Sequence, residues 1–107
     1  MRVIITRNGE TDLEAIYRDH ADYSFEFADR FHDRIVNFMI KNLSQHPKIG
    51  RALESPENVR KLVYDGAYNI YYTLKSDAAY ILYILDGRRI LNDQLLHLNE
   101  EEIENLI

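Results

Sequence analysis

The spacing of apolar residues changes once along this chain, and that change limits the folds open to it. Between residues 27 and 43, apolar side chains recur every three or four positions, which predicts an amphipathic helix. From Val59 onward the period falls to two, which is typical of strands with one buried face. Pro47 lies between the two regions and ends the helix, because the residue before a proline avoids helical geometry. The chain therefore combines helices and a sheet in separate segments.

Three strands are predicted in succession at residues 59–64, 68–74 and 79–85. Asp65-Gly66 separates the first two and favours a type I′ turn, in which both central residues need positive φ. The third strand is apolar on both faces, so we expect it to lie inside the sheet. A β-branched run at residues 2–6 predicts one more strand at the amino terminus.

Two helices lie between the first strand and the others. Thr11 and Glu14 have the spacing of a capping box, which predicts that the first helix begins at Thr11 and ends near residue 22. Ser24 is predicted to cap the second helix, and Asn99 a short last one. The resulting fold class is α+β, in the order β-α-α-β-β-β, with a helical hairpin packed on an antiparallel sheet and a short C-terminal helix.

The chain is long enough for one ordinary domain and too short for two, so we expect a single domain over residues 1–107. It has no cysteine, which excludes disulfides, cysteine zinc sites and a thiol nucleophile. The histidines are scattered, and we expect neither a metal nor another cofactor. No apolar run approaches the ~20 residues of a membrane span, and the first residues lack a signal-peptide core, which predicts a cytoplasmic protein without membrane contact.

The net charge of −5 is unevenly distributed. Residues 90–107 carry five acidic and no basic side chains, whereas residues 48–89 carry seven basic and five acidic ones, a balance of +2. Nucleic-acid binders usually present a clustered basic face, so the overall charge counts against that function. The acidic tail also contains leucines, and we expect it either to fold over the open face of the sheet near Arg60 and Arg88 or to form an oligomer contact.

Several short strings, taken in their order and spacing, carry a resemblance to a known family. The chain resembles the ParE/RelE-type toxins of bacterial type II toxin–antitoxin systems, also called plasmid-stabilisation proteins. The resemblance covers residues 3–89, so residues 1–89 form the family core and residues 90–107 are an acidic extension. The strings are Asp12–Tyr17 (DLEAIY), His46–Arg51 (HPKIGR), Val59–Leu62 (VRKL), Tyr68–Tyr72 (YNIYY) and Ile84–Arg89 (ILDGRR).

The resemblance implies a growth-arresting toxin that is held inactive by a cognate antitoxin, whose C-terminal segment wraps it. It leaves the assembly open between a toxin homodimer and a heterotetramer with the antitoxin. ParE-like members carry no nuclease site and are associated with poisoning DNA gyrase, whereas RelE-like members cut mRNA on the ribosome. Because the two branches share a scaffold, the fold does not decide between them. A third alternative is an inactive relative that retains only antitoxin binding.

Four arginines are the candidate contacts with target or antitoxin. Arg51 follows Pro47 and Gly50, and we expect Gly50 to adopt a turn conformation closed to other residues. Arg60 shares a strand face with apolar residues, where a guanidinium either finds a partner or lines a groove. Arg88 and Arg89 close the last strand, and we expect them to lie beside Arg60 as one basic centre.

A nuclease would need a general acid, a general base and cations around the phosphate. Arg60 and Arg88 are the candidate cations, and Tyr71 or its neighbour Tyr72 is a candidate for proton transfer. Relatives often place a histidine ahead of the Gly-Arg-Arg string, where this chain has Asp86, which cannot donate a proton at neutral pH unless its pKa is strongly raised. The sequence therefore favours a ParE-like toxin without catalytic residues.

Overall fold

A computed structural model describes residues 1–54, 58–88 and 100–107. The described elements confirm the α+β class and follow the predicted order with one additional strand, which gives β-α-α-β-β-β-β and a short C-terminal helix. The elements are β1 (Arg2–Ile5), α1 (Arg7–Ala21), α2 (Phe25–Gln45), β2 (Arg51–Ala52), β3 (Val59–Tyr64), β4 (Tyr68–Lys75), β5 (Ala78–Asp86) and α3 (Glu100–Leu106).

The strands form one sheet in the order β1-β5-β4-β3-β2. β5 lies between two neighbours, as its apolar sequence on both faces predicts. β1 pairs parallel with β5 while the other pairs are antiparallel, so the sheet is mixed rather than purely antiparallel. The type I′ turn is confirmed, since Asp65 and Gly66 have φ values of 54° and 65°. β2 has only two residues, too few to produce a period in the sequence.

α1 and α2 form a hairpin that covers one face of the sheet, which we call the helical face. Ser24 caps α2 as predicted, because its Oγ accepts from the backbone N–H of Phe27 at 3.2 Å. α2 ends at Gln45, just before Pro47, also as predicted. The buried core on this face consists of apolar side chains together with the ring of Tyr72, and its members include Leu13, Ile35, Met39, Leu43, Ile70, Tyr72, Ile81 and Ile84.

The predicted start of α1 is wrong. The cap is Thr6 and not Thr11: the Thr6 hydroxyl accepts from the backbone N–H of Gly9 at 3.2 Å and donates to the Ile81 carbonyl at 2.6 Å. Thr11 lies inside the helix and donates to the Arg7 carbonyl. A Cβ on Gly9 would lie 2.9 Å from the Ile81 carbonyl oxygen, so this glycine allows the first turn of α1 to approach the sheet directly after β1.

The opposite face of the sheet, which we call the second face, is covered by α3. Ile103 is only 2% exposed and packs in a cluster with four residues of the sheet and its β2 edge. Glu104 forms an ion pair with Lys75 at the end of β4. Residues 100–107 of the acidic tail therefore cover the second face. The expected position near Arg60 and Arg88 is wrong, because Arg60 lies opposite Tyr72 on the helical face and Arg88 lines a cavity with residues of α2. Asn99, the predicted cap of this helix, lies outside the described residues. The cluster partners of Ile103 are Leu53, Val59, Tyr71 and Leu82.

Among the helices that the structure describes, none combines the length and the apolar character required to cross a bilayer.

The cover on the second face can be tested by removing its buried side chain. We expect Ile103→Ala to lower the free energy of unfolding by about 2 kcal/mol or more, because it deletes three buried carbons. The control is Ile107→Ala, at a side chain that is 38% exposed, which should change it by less than about 0.5 kcal/mol. Equal effects of the two variants in denaturant titrations would show that α3 does not dock as described.

Candidate functional site

The loop between α2 and β2, residues 46–50, is bound to the sheet by the hydroxyl of Tyr72. This ring is completely buried on β4, and its hydroxyl donates to the Pro47 carbonyl at 2.8 Å and accepts from the Gly50 N–H at 2.9 Å. Burial raises the pKa of Tyr72, and the hydrogen bond from Gly50 only partly offsets this. The phenol therefore stays protonated at neutral pH and can serve as donor and acceptor at once.

Arg60 binds the same loop from β3. Its guanidinium donates to the carbonyls of Lys48 at 3.2 Å and Gly50 at 2.7 Å. The prediction left open a salt bridge or a groove, and the observed partners are backbone carbonyls of the chain itself. Arg60 thus holds in place the loop that leads into Arg51, whose exposed side chain lies at the edge of the sheet opposite Lys61.

Gly50 is needed for a different reason from the one predicted. Its φ lies outside the left-handed region, so the expected special turn conformation is wrong. A Cβ at this position would instead lie 2.7 Å from Cε1 and from the hydroxyl oxygen of Tyr72, well inside contact distance. The glycine is required because the backbone passes directly over the tyrosine ring.

Arg88 lies in the turn after β5 and is oriented by Asp86. The guanidinium contacts both carboxylate oxygens, with Nε at 3.0 and 3.2 Å and a terminal nitrogen at 2.7 Å. Hydrogen bonding to Asp86 raises the pKa of Arg88, and 83% of the Arg88 side chain is exposed. Arg88 is therefore a charged group with a fixed direction at the surface. Arg89 lies outside the described residues.

The structure does not bring Arg60 and Arg88 together. In the register of the sheet, Arg60 of β3 lies opposite Tyr72 of β4. Asp86 of β5 lies opposite Tyr68, which in turn lies opposite Tyr64, so these three residues form a second row across the strands. The two rows are four residues apart along β3, which is about 13 Å at the usual rise per residue. The expected single basic centre is wrong, because Arg88 follows the end of β5 that is remote from the β2 edge.

A cavity of about 470 Å³ lies beside Arg88, between α2 and the β3–β4 turn. This cavity was not predicted from the sequence. The available signal was the spacing of two residue pairs in α2. Phe27 and Phe31, like Arg30 and Arg34, are four residues apart, so each pair lies on one stripe of the helix and the two stripes are neighbours. The lining residues are His20, Phe27, Arg30, Phe31, Arg34, Tyr64, Asp65, Ala67, Tyr68, Asp86 and Arg88.

The residues that a nuclease would use have structural contacts instead. Tyr71 is completely buried on the second face, in the cluster that includes Ile103. Asp86 binds Arg88, and Arg60 binds backbone carbonyls. A proton-transfer step through Tyr71 would first require exposure of this ring.

The comparisons with known proteins fit this fold and place the chain in a class, the toxins of type II toxin–antitoxin systems. A sequence model described as "ParE toxin of type II toxin-antitoxin system, parDE" matches residues 3–91. The chain therefore belongs to the ParE toxin family. No curated protein is significantly similar in sequence.

Solved structures give the same result. The fold is similar to a chain of the "Chromosomal ParDE TA system from P. aeruginosa", with a TM-score of 0.70 and 28% sequence identity. The similarity covers 80% of this chain and 95% of that chain. The resemblance recognised in the sequence is thus confirmed.

Gly50→Ala tests the close approach of the loop to Tyr72. We expect a loss of about 1–3 kcal/mol in the free energy of unfolding, because either the buried ring or the loop must move. Ile49→Ala, in the same loop and at a side chain 48% exposed, should change stability by less than about 0.5 kcal/mol. A Gly50→Ala protein as stable as the control in thermal denaturation would contradict the described contact.

Alkaline pH tests the buried phenol of Tyr72. Its pKa is raised in the folded state above the reference value of 10.0, so its contribution to stability is complete below pH 10.0 and is lost as the pH rises through the folded pKa. We expect the free energy of unfolding to fall above pH 10.0, and to fall less steeply in Tyr72→Phe. Tyr23→Phe, at a ring 89% exposed, should keep the wild-type slope. A Tyr72→Phe slope equal to the wild type would contradict the assignment.

Proposed function

We propose that this chain is a toxin that acts by binding a macromolecular target, DNA gyrase, rather than by cutting RNA. The observation that carries the proposal is that the residues that are candidates for RNA cleavage make structural contacts within this chain. Arg60 donates to two loop carbonyls, Tyr71 is buried, and Asp86 holds Arg88. The match to the ParE family model supports the same branch of the family. This target implies a cytoplasmic protein.

The arginines have different roles in this proposal. Arg88 is fixed by Asp86 and exposed, which suits direct contact with a target or antitoxin. Arg51 is exposed at the β2 edge and contacts the partner from the other end of the sheet. Arg60 acts through the loop that it holds, and is a positioning residue for Arg51. Arg89 follows Arg88 in the sequence and is proposed as a partner contact with it.

Neutralisation by a cognate antitoxin is the second part of the proposal. The solved relative is described as a ParDE toxin–antitoxin system, which supports a protein partner for this chain. We propose that the antitoxin covers the exposed arginines, in an assembly that is either a toxin homodimer or a heterotetramer with the antitoxin. A gene for a small acidic protein beside this one would be the expected source of the antitoxin.

Purified protein incubated with gyrase and plasmid DNA tests the target. We expect inhibition of supercoiling or a trapped cleavage complex, and intact transcripts in a parallel assay of ribosome-bound mRNA. Arg88→Gln should weaken inhibition about fivefold, on the basis of ~1 kcal/mol for one exposed charged contact. Arg7→Gln, which removes an exposed charge at the far end of α1, is the matched control and should leave inhibition unchanged.

Three results would each overturn part of this proposal. Cleaved transcripts with unaffected gyrase would assign the chain to the ribosome-dependent endoribonucleases. The absence of both activities, together with normal growth of cells that express the chain without antitoxin, would identify an inactive relative. Equal effects of Arg88→Gln and Arg7→Gln on gyrase inhibition would remove Arg88 from the binding surface.

A further inference from the structure

The cavity beside Arg88 has a continuous aromatic wall, and we call it the aromatic pocket. The His20 ring lies edge-on to Phe31 with centroids 4.5 Å apart, and Phe31 lies 5.2 Å from Tyr68 and 5.8 Å from Tyr64. The Tyr68 hydroxyl is 3.3 Å from His20 Nε2. These contacts fix four rings from four elements, so the wall of the pocket is already organised before any ligand arrives.

Guanidinium groups stand on two sides of the aromatic pocket. Arg30 and Arg34 are one turn apart on α2, and Arg88 faces them from the turn after β5. Arg88 is oriented by Asp86, and Arg30 pairs with Glu26 at 3.4 Å. Arg34 has no ion pair with any residue in 1–54, 58–88 or 100–107. Arg34 is therefore the guanidinium most open to a carboxylate from outside.

Exposed aromatic side chains continue from the pocket to the surface. Phe27 lines the pocket and is 43% exposed, and Phe25 and Tyr23, at the start of α2 and the turn before it, are 72% and 89% exposed. Aromatic residues and arginine are the residue types enriched at the energetic centres of protein interfaces. This part of the surface therefore has the composition of a protein-docking site.

We propose that the aromatic pocket is the docking site for an acidic segment of a partner protein. An aromatic or aliphatic side chain of the partner packs against Phe31 and Tyr68, and an adjacent carboxylate binds Arg34 and Arg88. The proposal deepens the proposed function, because the antitoxin is the partner expected to carry such a segment.

Charge favours a polypeptide over a nucleic acid in this pocket. Asp65 and Asp86 share its lining with the three arginines, so a chain of phosphates would meet negative as well as positive groups. A peptide places one carboxylate against Arg34 and can offer backbone N–H groups to Asp65. The net charge of −5 also repels a polyanion. It affects a short segment less, because the single negative charge of that segment is matched by a nearby arginine.

Amide NMR spectra of the full-length protein can test this with a minimal probe, N-acetyl-Phe-Glu-amide. We expect titration to shift the amide signals of Phe31, Arg34 and Ala67 and to leave those of Lys75 and Ile103 in place. N-acetyl-Phe-Gln-amide, which lacks the charge, should bind about fivefold more weakly, as expected for ~1 kcal/mol from one exposed ion pair. Arg34→Gln should weaken binding of the glutamate peptide by the same factor, and Arg7→Gln should leave that binding unchanged.

The outcomes separate this proposal from the proposed function. No shift at the pocket up to the solubility limit of the peptide, or an equal loss in Arg7→Gln and Arg34→Gln, would overturn the docking site. Tighter binding of the dinucleotide pdTpdT at the same amides would reassign the pocket to nucleic acid and also overturn it. Gyrase inhibition is measured independently, so inhibition with no peptide binding would remove only the docking site, and peptide binding without inhibition would remove only the target.

Discussion

The hydroxyl of Tyr72 joins the two layers of this protein. It lies in the core of the helical face, and its two hydrogen bonds reach the carbonyl of Pro47 and the N–H of Gly50 on the loop that leaves α2. A buried hydroxyl without partners would be costly, and each bond made here contributes about 1 kcal/mol. Arg60 adds two charged hydrogen bonds to the same loop, so the end of α2 and the edge of the sheet keep a fixed relation.

This arrangement changes how the arginines are interpreted. Arg60 is a basic residue on a strand face, close to the Gly50-Arg51 string, which suggests a ligand site. Its guanidinium donates instead to two carbonyls of the 46–50 loop. Of the four candidate arginines, the two that the structure describes with exposed side chains lie at the two ends of the sheet, with Arg51 at the β2 edge and Arg88 after β5. A partner that contacts both must extend along the sheet, which suits a long polypeptide better than a compact ligand.

Sequence reasoning succeeded where a period or a local rule determines the structure, and failed where tertiary contacts do. The helix period, the Ser24 cap and the Asp65-Gly66 turn follow from neighbouring residues, and each is confirmed. The start of α1 depends on the Thr6 hydroxyl bonding to Ile81, 75 residues away, which no local pattern reveals. The contact that requires Gly50 and the separation of Arg60 from Arg88 likewise depend on strand register. The family, in contrast, was recognisable because its short strings keep their order and spacing.

The two faces of the sheet offer a partner different opportunities. α3 lies beyond residues 3–91, the part matched by the family model, and it buries Ile103 on the second face. An incoming protein would have to displace this helix to reach the apolar residues beneath it. On the helical side, by contrast, large apolar side chains remain exposed in and beside α2, including Phe25, Phe27 and Ile40. Because binding that needs no displacement costs less, the described part of the chain favours recognition on the α2 side, where the aromatic pocket and its arginines lie.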